Sequence, residues 1–347
     1  MDLHERPPPL EDDQARSESA MAMEISTEEQ DLASYRRDWE SSYGAQSGFF
    51  EFYSNERASH ALHVQAHPRA RRPETCLQIF SIEVTELSGG LQWPLEVYGL
   101  VATRDSVDHN RNVIFRRRRD TFLILTQQLT GPSRAVVFAG PVDIDVQLKL
   151  KGRTTEREDE DLISKVLTYG RDFSSDNSTE AGNRHLARTT CSGRLCSLEV
   201  TAAPLARAIE ATVISAEVTQ GRWPKTLGIR VVVSGTAGAD EDFVLLEARD
   251  WTFRVDLADG IIALNRHVVC VEEGGMLNLW IEAYSKRTGC MYEKSGVTEL
   301  VPKRSSATIA VCKLAFCTVE FVVGWSCLVA KVSDLMSFCA LHACMLT

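Results

Sequence analysis

Apolar and polar residues alternate in short runs along most of the chain, and turn-forming residues punctuate the runs. From residue 77, Phe80, Ile82 and Val84 alternate with Ile79, Ser81, Glu83 and Thr85, the period-two pattern of a strand with one apolar face. Ser88-Gly89-Gly90 reads as a turn, and residues 95–103 as a second strand. Residues 105–112 form a polar connection rich in turn formers. Residues 135–139 and 144–150 flank Gly140-Pro141, which predicts a hairpin. Residues 152–161 read as a charged loop, residues 171–190 as a Ser-, Asn- and Thr-rich linker, and residues 195–202 as a closing strand.

The same order is then replayed. Strands are predicted at 211–218, 227–233, 243–248 and 252–257. A hairpin is predicted between 267–271 and 277–284 across Glu272-Glu273-Gly274-Gly275, and a last strand at 317–325. The wording repeats as well. Glu83-Val84-Thr85 followed by Gly90-Leu91-Gln92-Trp93-Pro94 stands against Glu217-Val218-Thr219 followed by Gly221-Arg222-Trp223-Pro224. Arg134-Ala135-Val136-Val137 stands against Arg266-His267-Val268-Val269, and Cys196-Ser197-Leu198-Glu199-Val200 against Cys317-Thr318-Val319-Glu320-Phe321. The pattern predicts an all-β chain of two related antiparallel β-sandwich units in tandem, at 74–203 and 204–328. An arm and linker (1–73) precede them and a tail (329–347) follows. Trp93 and Trp223 are the expected large buried rings, each costing about 3–5 kcal/mol on truncation to Ala. Pro94 and Pro224 have no N–H to donate and belong at strand starts or edges.

Charge changes the picture at the N-terminus. The chain carries a net charge of -10, and residues 1–60 hold 14 acidic against 5 basic side chains. Pro7-Pro8-Pro9 and the acidic, Ser-rich run up to Glu29 predict disorder, or at most transient helix, to about residue 47. Phe49, Phe50, Phe52 and Tyr53 form an aromatic cluster able to dock on the body. The body itself is close to neutral, which argues against a nucleic-acid partner. The start of the chain has no basic, apolar leader pattern, so the ten cysteines are expected as thiols in a cytoplasmic or nuclear protein. Residues 316–330 are too short for a membrane span and carry Glu320, so they are expected as a buried strand, with no membrane partner.

Candidate chemistry is sparse. Asp105, Asp108, His109 and Asn110 could face a cation, but a single oxygen-bearing loop is better read as Asx-type turn chemistry. Arg116-Arg117-Arg118-Arg119 is the sharpest charge run, and could meet an acidic partner, the acidic arm or RNA, or simply be a solvated hairpin end. No aromatic residues interleave it, which weakens RNA as its ligand. Cys191 with Cys196 and Cys312 with Cys317 occupy equivalent places. A separation of five along a strand points such a pair to opposite faces, so they are expected as small core residues and no metal is assigned. No catalytic constellation or cofactor motif is assigned to any residue.

Residues 79–84, 89–99, 104–112 and 129–137 resemble a grass family known as a plant domain of unknown function, numbered 6598. The resemblance spans about 34–328. It implies a β-rich fold, found alone or beside a ribosome-inactivating N-glycosidase domain, and brings no catalytic residues. The chain departs from the family pattern between Gln128 and Leu129, in the basicity of residues 116–119, and after Val329. Glu247-Ala248-Arg249 is one residue too short for the Glu-Ala-x-Arg signature of the glycosidase and falls on a strand end. The expected function is a non-enzymatic module binding a protein or a glycan through loops or the groove between the units. The alternative implied by the family association is an accessory to translation inhibition in plant defence.

Overall fold

A computed structural model describes residues 11–54, 73–106, 108–125, 134–152, 155, 158–170, 186–235, 242–248 and 260–327, with side chains described from residue 27 and not at 124–125. The expected strand at 252–257, the entry to Leu129, Arg249, most of the 171–190 linker and the 329–347 tail lie outside these residues. In chain order, helix α1 (Glu11–Ser47) precedes β1 (Glu74–Leu87), β2 (Leu95–Arg104), β3 (Asn112–Arg117), β4 (Leu123–Leu125), β5 (Val136–Val137), β6 (Val142–Leu150), β7 (Glu160–Tyr169) and β8 (Ala187–Ser192). There follow β9 (Cys196–Gly221), β10 (Leu227–Gly235), β11 (Phe243–Ala248), β12 (Val268–Glu272), β13 (Leu277–Ser285), β14 (Met291–Lys294), β15 (Thr298–Leu300), β16 (Ser305–Lys313) and β17 (Cys317–Ser326).

The strands build three antiparallel sheets. A seven-stranded sheet runs β16-β17-β9-β1-β5, with β8 and β12 also on β9. One five-stranded sheet runs β3-β2-β6-β7 with β4 on β2, and the other runs β11-β10-β13-β14 with β15 on β13. Alternation places the core. Leu77 and Ile79 of β1 and Leu198 and Val200 of β9 share one apolar cluster with Val97 and Val101 of β2 and Val146 and Leu148 of β6. Val213 of β9 and Val319 and Phe321 of β17 share the other with Ile229 and Val231 of β10 and Leu279 and Ile281 of β13. The pairing order β8-β9-β1-β5 at one end therefore recurs as β16-β17-β9-β12 at the other.

Strand β9 serves both ends. It pairs β1 from Cys196 to Ala208 and β17 from Glu210 to Gly221. The expected boundary at 203/204 thus falls inside a continuous strand of 26 residues. The changeover falls at Arg207, a non-glycine residue at φ 51°. At Gly99 in β2, φ is 123° and an added Cβ would lie 2.1 Å from the Gln147 carbonyl oxygen, so only glycine lets β6 approach there.

Several expectations are corrected. Residues 135–139 and 144–150 do not form a hairpin: β5 pairs β1, whereas β6 pairs β2 and β7. The second expected hairpin makes the same crossing, β12 to β9 and β13 to β10. In both, the apolar residues of the two segments face one core from opposite sheets, so the turn carries the chain between sheets. The charged loop at 152–161 runs into β7, whose acidic start sits at a sheet edge. Residues 11–47 are helical rather than disordered. Trp223 is 4 % exposed as expected, but Trp93 is 38 % exposed. Trp93 lies in the turn before β2, and Leu95 with half-buried Leu91 fills the core there instead. Each cysteine pair spans two neighbouring strands, β8/β9 and β16/β17, rather than two faces of one strand. Cys196, Cys312 and Cys317 are buried, and burial pushes Cys196 up to about 12 and Cys317 up to about 11.

Candidate functional site

Chemistry concentrates at the end of β2, where three arginines are taken out of water. Arg104, Arg111 and Arg134 are 2 %, 5 % and 2 % exposed. Burying a guanidinium costs several kcal/mol unless it is paired and hydrogen-bonded, so the partners decide what the site is. Arg134 makes a bidentate pair with Asp105, at 2.6 and 3.0 Å. The Val137 N–H also donates to Asp105, at 2.8 Å, and the Asn112 side chain holds the Arg134 backbone at both its N–H and its carbonyl. Asp105 also accepts the Asp108 N–H at 3.3 Å, in line with the Asx-type reading of this loop, and its carboxylate is buried inside this network rather than facing a cation. Arg111 donates to Asp145 through Nε at 2.9 Å, and Arg104 reaches the same carboxylate at 3.5 Å. Burial pulls the Arg104 guanidinium below its usual range, against the attraction of Asp145.

The rest of the cover comes from the N-terminal arm. Phe50 lies under Arg104 and Arg111, with guanidinium carbons 4.2 and 5.0 Å from the ring centre, and its carbonyl accepts from Arg104 Nη2 at 2.8 Å. Trp39 of α1 meets Phe50 edge-on at 5.4 Å, and its Nε1 donates to the His109 carbonyl at 3.1 Å. Tyr43 stacks on the His109 ring at 3.7 Å, and Tyr35 donates to Asp143 at 2.8 Å. At the far end Glu28, 4 % exposed, accepts from the backbone N–H groups of Ser164 and Arg194 at 3.1 and 3.0 Å. Phe52 and Ser54 then join the chain at Arg111 by two backbone hydrogen bonds, a parallel bridge beside β3.

The other singled-out residues fall on both sides of this network. Asp108 accepts from the Asn110 N–H at 3.0 Å, the expected Asx turn. Arg104 Nε, Ser106 Oγ and Asn110 Oδ1 have no hydrogen-bond partner among the described residues. The arginine run divides. Arg119 is bidentate on Asp159 at 2.8 and 3.1 Å, and this pair, with Tyr98 and the Gly152 N–H, holds the Asp159 carboxyl well below its usual range. Arg116, Arg117 and Arg118 are exposed, and the Arg116 guanidinium lies 4.3 Å from the Tyr53 ring centre. Among the described residues, no group of three or more His, Cys, Asp or Glu side chains is placed to hold a metal ion.

The sequence reading missed Arg104, Arg111, Asp145, Trp39 and Glu28. One usable signal was present: Tyr35, Trp39 and Tyr43 recur every four residues, the spacing of one helix face. The buried arginines gave none, because an arginine in a strand carries no mark of what it will face. The second half shows the contrast. Arg266, matching Arg134, is 5 % exposed and is held by the carbonyls of Ile79, Phe80 and Val268 with no carboxylate partner among the described residues, and burial lowers it to about 10.

Fold and site together define a mostly β chain, with three antiparallel sheets among the described residues and a helical arm docked on a buried arginine–carboxylate cluster. The chain belongs to the family described as Domain of unknown function (DUF6598), whose model matches residues 76–323. No curated protein matches it. Among solved structures, human GIVD cytosolic phospholipase A2 aligns at 11 % identity over 72 % of this chain and 33 % of that one, with a TM-score of 0.21. A multidomain fragment of Extended-Synaptotagmin 2 that includes its SMP domain aligns at 11 % identity over 75 % of this chain and 58 % of that one, with a TM-score of 0.27. The chain thus spans a third and somewhat over half of these two proteins. No helix among the described residues is long and apolar enough to cross a membrane.

Proposed function

We propose that this chain is a non-enzymatic protein-interaction module that recognises an acidic, extended segment of a partner along the outer edge of β3. In this reading the two halves are related tandem sandwich units and the first carries the recognition surface. The carrying observation is the exposure of Arg116, Arg117 and Arg118 in succession at the end of a strand that terminates its sheet, with Arg116 stacked on Tyr53. A terminal strand offers backbone donors and acceptors to an incoming strand, and the three cations select the sign of its side chains. Exposed Phe49 and Phe52, packed edge-on at 5.3 Å in the segment that bridges to Arg111, add apolar area beside the edge.

The test is calorimetric titration of the full chain with a Glu- and Asp-rich peptide. Changing Arg116, Arg117 and Arg118 together to Ser should lower affinity by roughly tenfold or more and leave the unfolding midpoint unchanged, and binding should weaken with salt. Unchanged affinity in the triple variant contradicts the reading. So does tighter, salt-sensitive binding of single-stranded RNA than of the peptide, and release of adenine from ribosomes by the purified chain would remove the non-enzymatic part of it.

A further inference from the structure

The arm that covers the arginine cluster lies outside the span matched by the family model, which begins at residue 76. It is nonetheless held the way a bound helix is held. Its buried and half-buried positions Glu28, Leu32, Tyr35, Trp39 and Tyr43 fall on one helix face, and the opposite face is exposed. Most of the polar anchors go to separate parts of the body: Glu28 to Ser164 of β7 and to Arg194, Tyr35 to Asp143 of β6, and Trp39 and Tyr43 to His109. The arm is acidic, with Glu28, Glu29, Asp31, Asp38, Glu40 and Glu51 against Arg36 and Arg37, and it lies on Arg104, Arg111 and Lys165. Arg104 Nε, Ser106 Oγ and Asn110 Oδ1 have no partner among the described residues, which leaves hydrogen-bonding capacity here that the described arm does not use.

We propose that the surface formed by β6, β7 and the 104–111 turn is a helix-binding groove, and that residues 27–54 are its occupant in cis. The groove accepts in trans an acidic helix with the same stripe, a Glu followed at seven, eleven and fifteen residues by Tyr, Trp and Tyr, and then a Phe that reaches the two guanidinium groups. This is recognition of an amphipathic helix in a groove, with the aromatic rings as anchors. The tether makes the cis arm a strong competitor, since a short connection supplies an effective concentration on the order of millimolar. A partner helix therefore enters when the arm's own grip is loosened. The groove is lined by residues other than Arg116, Arg117 and Arg118, although the arm also carries Phe49, Phe52 and Tyr53 to the β3 edge, and the readouts below do not depend on those three arginines.

The experiment measures fluorescence anisotropy of a labelled synthetic peptide of residues 27–54 against three full-length proteins: wild type, Trp39→Ala/Phe50→Ala, and Glu28→Lys/Tyr35→Phe. The last loosens the arm without touching the packing on the arginines. Both variants should bind the peptide at least about tenfold more tightly than wild type, because the tethered competitor is weakened. Binding should slow hydrogen exchange at the Ser164 and Arg194 amides, the two donors to Glu28. A peptide carrying Trp39→Ala and Phe50→Ala should bind none of the three. The proposal is overturned if neither variant binds while keeping its strand circular dichroism, if wild type and variants bind equally, or if the altered peptide binds as well as the native one. Loss of the strand signal in both variants overturns it too, by showing the arm to be part of the core.

Discussion

Glu282 on β13 is 7 % exposed and gathers the Tyr284 hydroxyl at 2.7 Å, the Trp280 indole at 2.9 Å and Arg230 at 3.1 Å. Burial alone would raise its pKa, but these donors outweigh it and lower the carboxyl from 4.5 to about 2. A depressed folded value means that its stabilisation is fully present above the unfolded value of about 4.5 and is lost as pH falls through about 2. Glu282→Gln should therefore be less stable than wild type at neutral pH, and its stability should fall less steeply between about pH 4.5 and 2. Urea unfolding across that interval checks this, and parallel curves for the two proteins count against it. The residues legible from sequence were those whose type fixes their setting: Pro94 immediately before β2, Trp223 over a core, Asp108 in an Asx turn; Pro224 lies instead in the connection between β9 and β10. Trp93 was not, because the repeat word is shared while the neighbouring Leu95 takes the core place.

Elements were legible wherever period two was unbroken. Strands β1, β2, β10 and β17 lie within a few residues of the expected spans, whereas β9 reads as two strands because Pro204 and Arg207 interrupt it. The structure resolves both interruptions. The pairing of β9 with β8 ends at Ala202, so Pro204 lies where β8 no longer pairs the strand, opposite Leu77 of β1. Arg207 takes the left-handed region at φ 51°, and the Glu273 N–H donates to its carbonyl at 2.8 Å. A non-glycine residue there costs about 1–2 kcal/mol, and a β-branched one more. Arg207→Gly should thus be close to wild type in stability and Arg207→Val clearly below both. Equal midpoints for the Gly and Val variants in thermal unfolding would show that the kink carries no strain. Helix α1 was not legible because its composition is that of an unpacked acidic segment, and its order comes from tertiary contacts at Glu28, Tyr35 and Trp39.

At the scale of the molecule, repeated words were visible in the sequence but the sharing of one long strand between the two ends of the sheet was not. Words such as Trp-Pro and Glu-Val-Thr repeat locally, and nothing local says that one strand pairs with both β1 and β17. In the structure Cys76, Ala135, Leu205, Ala208, Val268 and Cys270 form a small apolar cluster on the seven-stranded sheet, where β9 changes partner from β1 to β17. Glu210 ties the region together by accepting from the Ala135 N–H at 2.7 Å and the Ser326 hydroxyl at 3.3 Å. Opening either end frays the sheet of the other, so the two halves should unfold in one cooperative transition. Differential scanning calorimetry should give equal calorimetric and van't Hoff enthalpies, and two resolved peaks would mean that the halves fold independently.

The acidic arm is seated on the first half rather than free of it. Hydrogen exchange of the full-length chain, resolved to residues 27–54, reads this directly. The amides of residues 32–47 should exchange far more slowly than in the isolated peptide, and this protection should vanish in Trp39→Ala/Phe50→Ala. Exchange at the free-peptide rate in the wild-type chain would contradict the account.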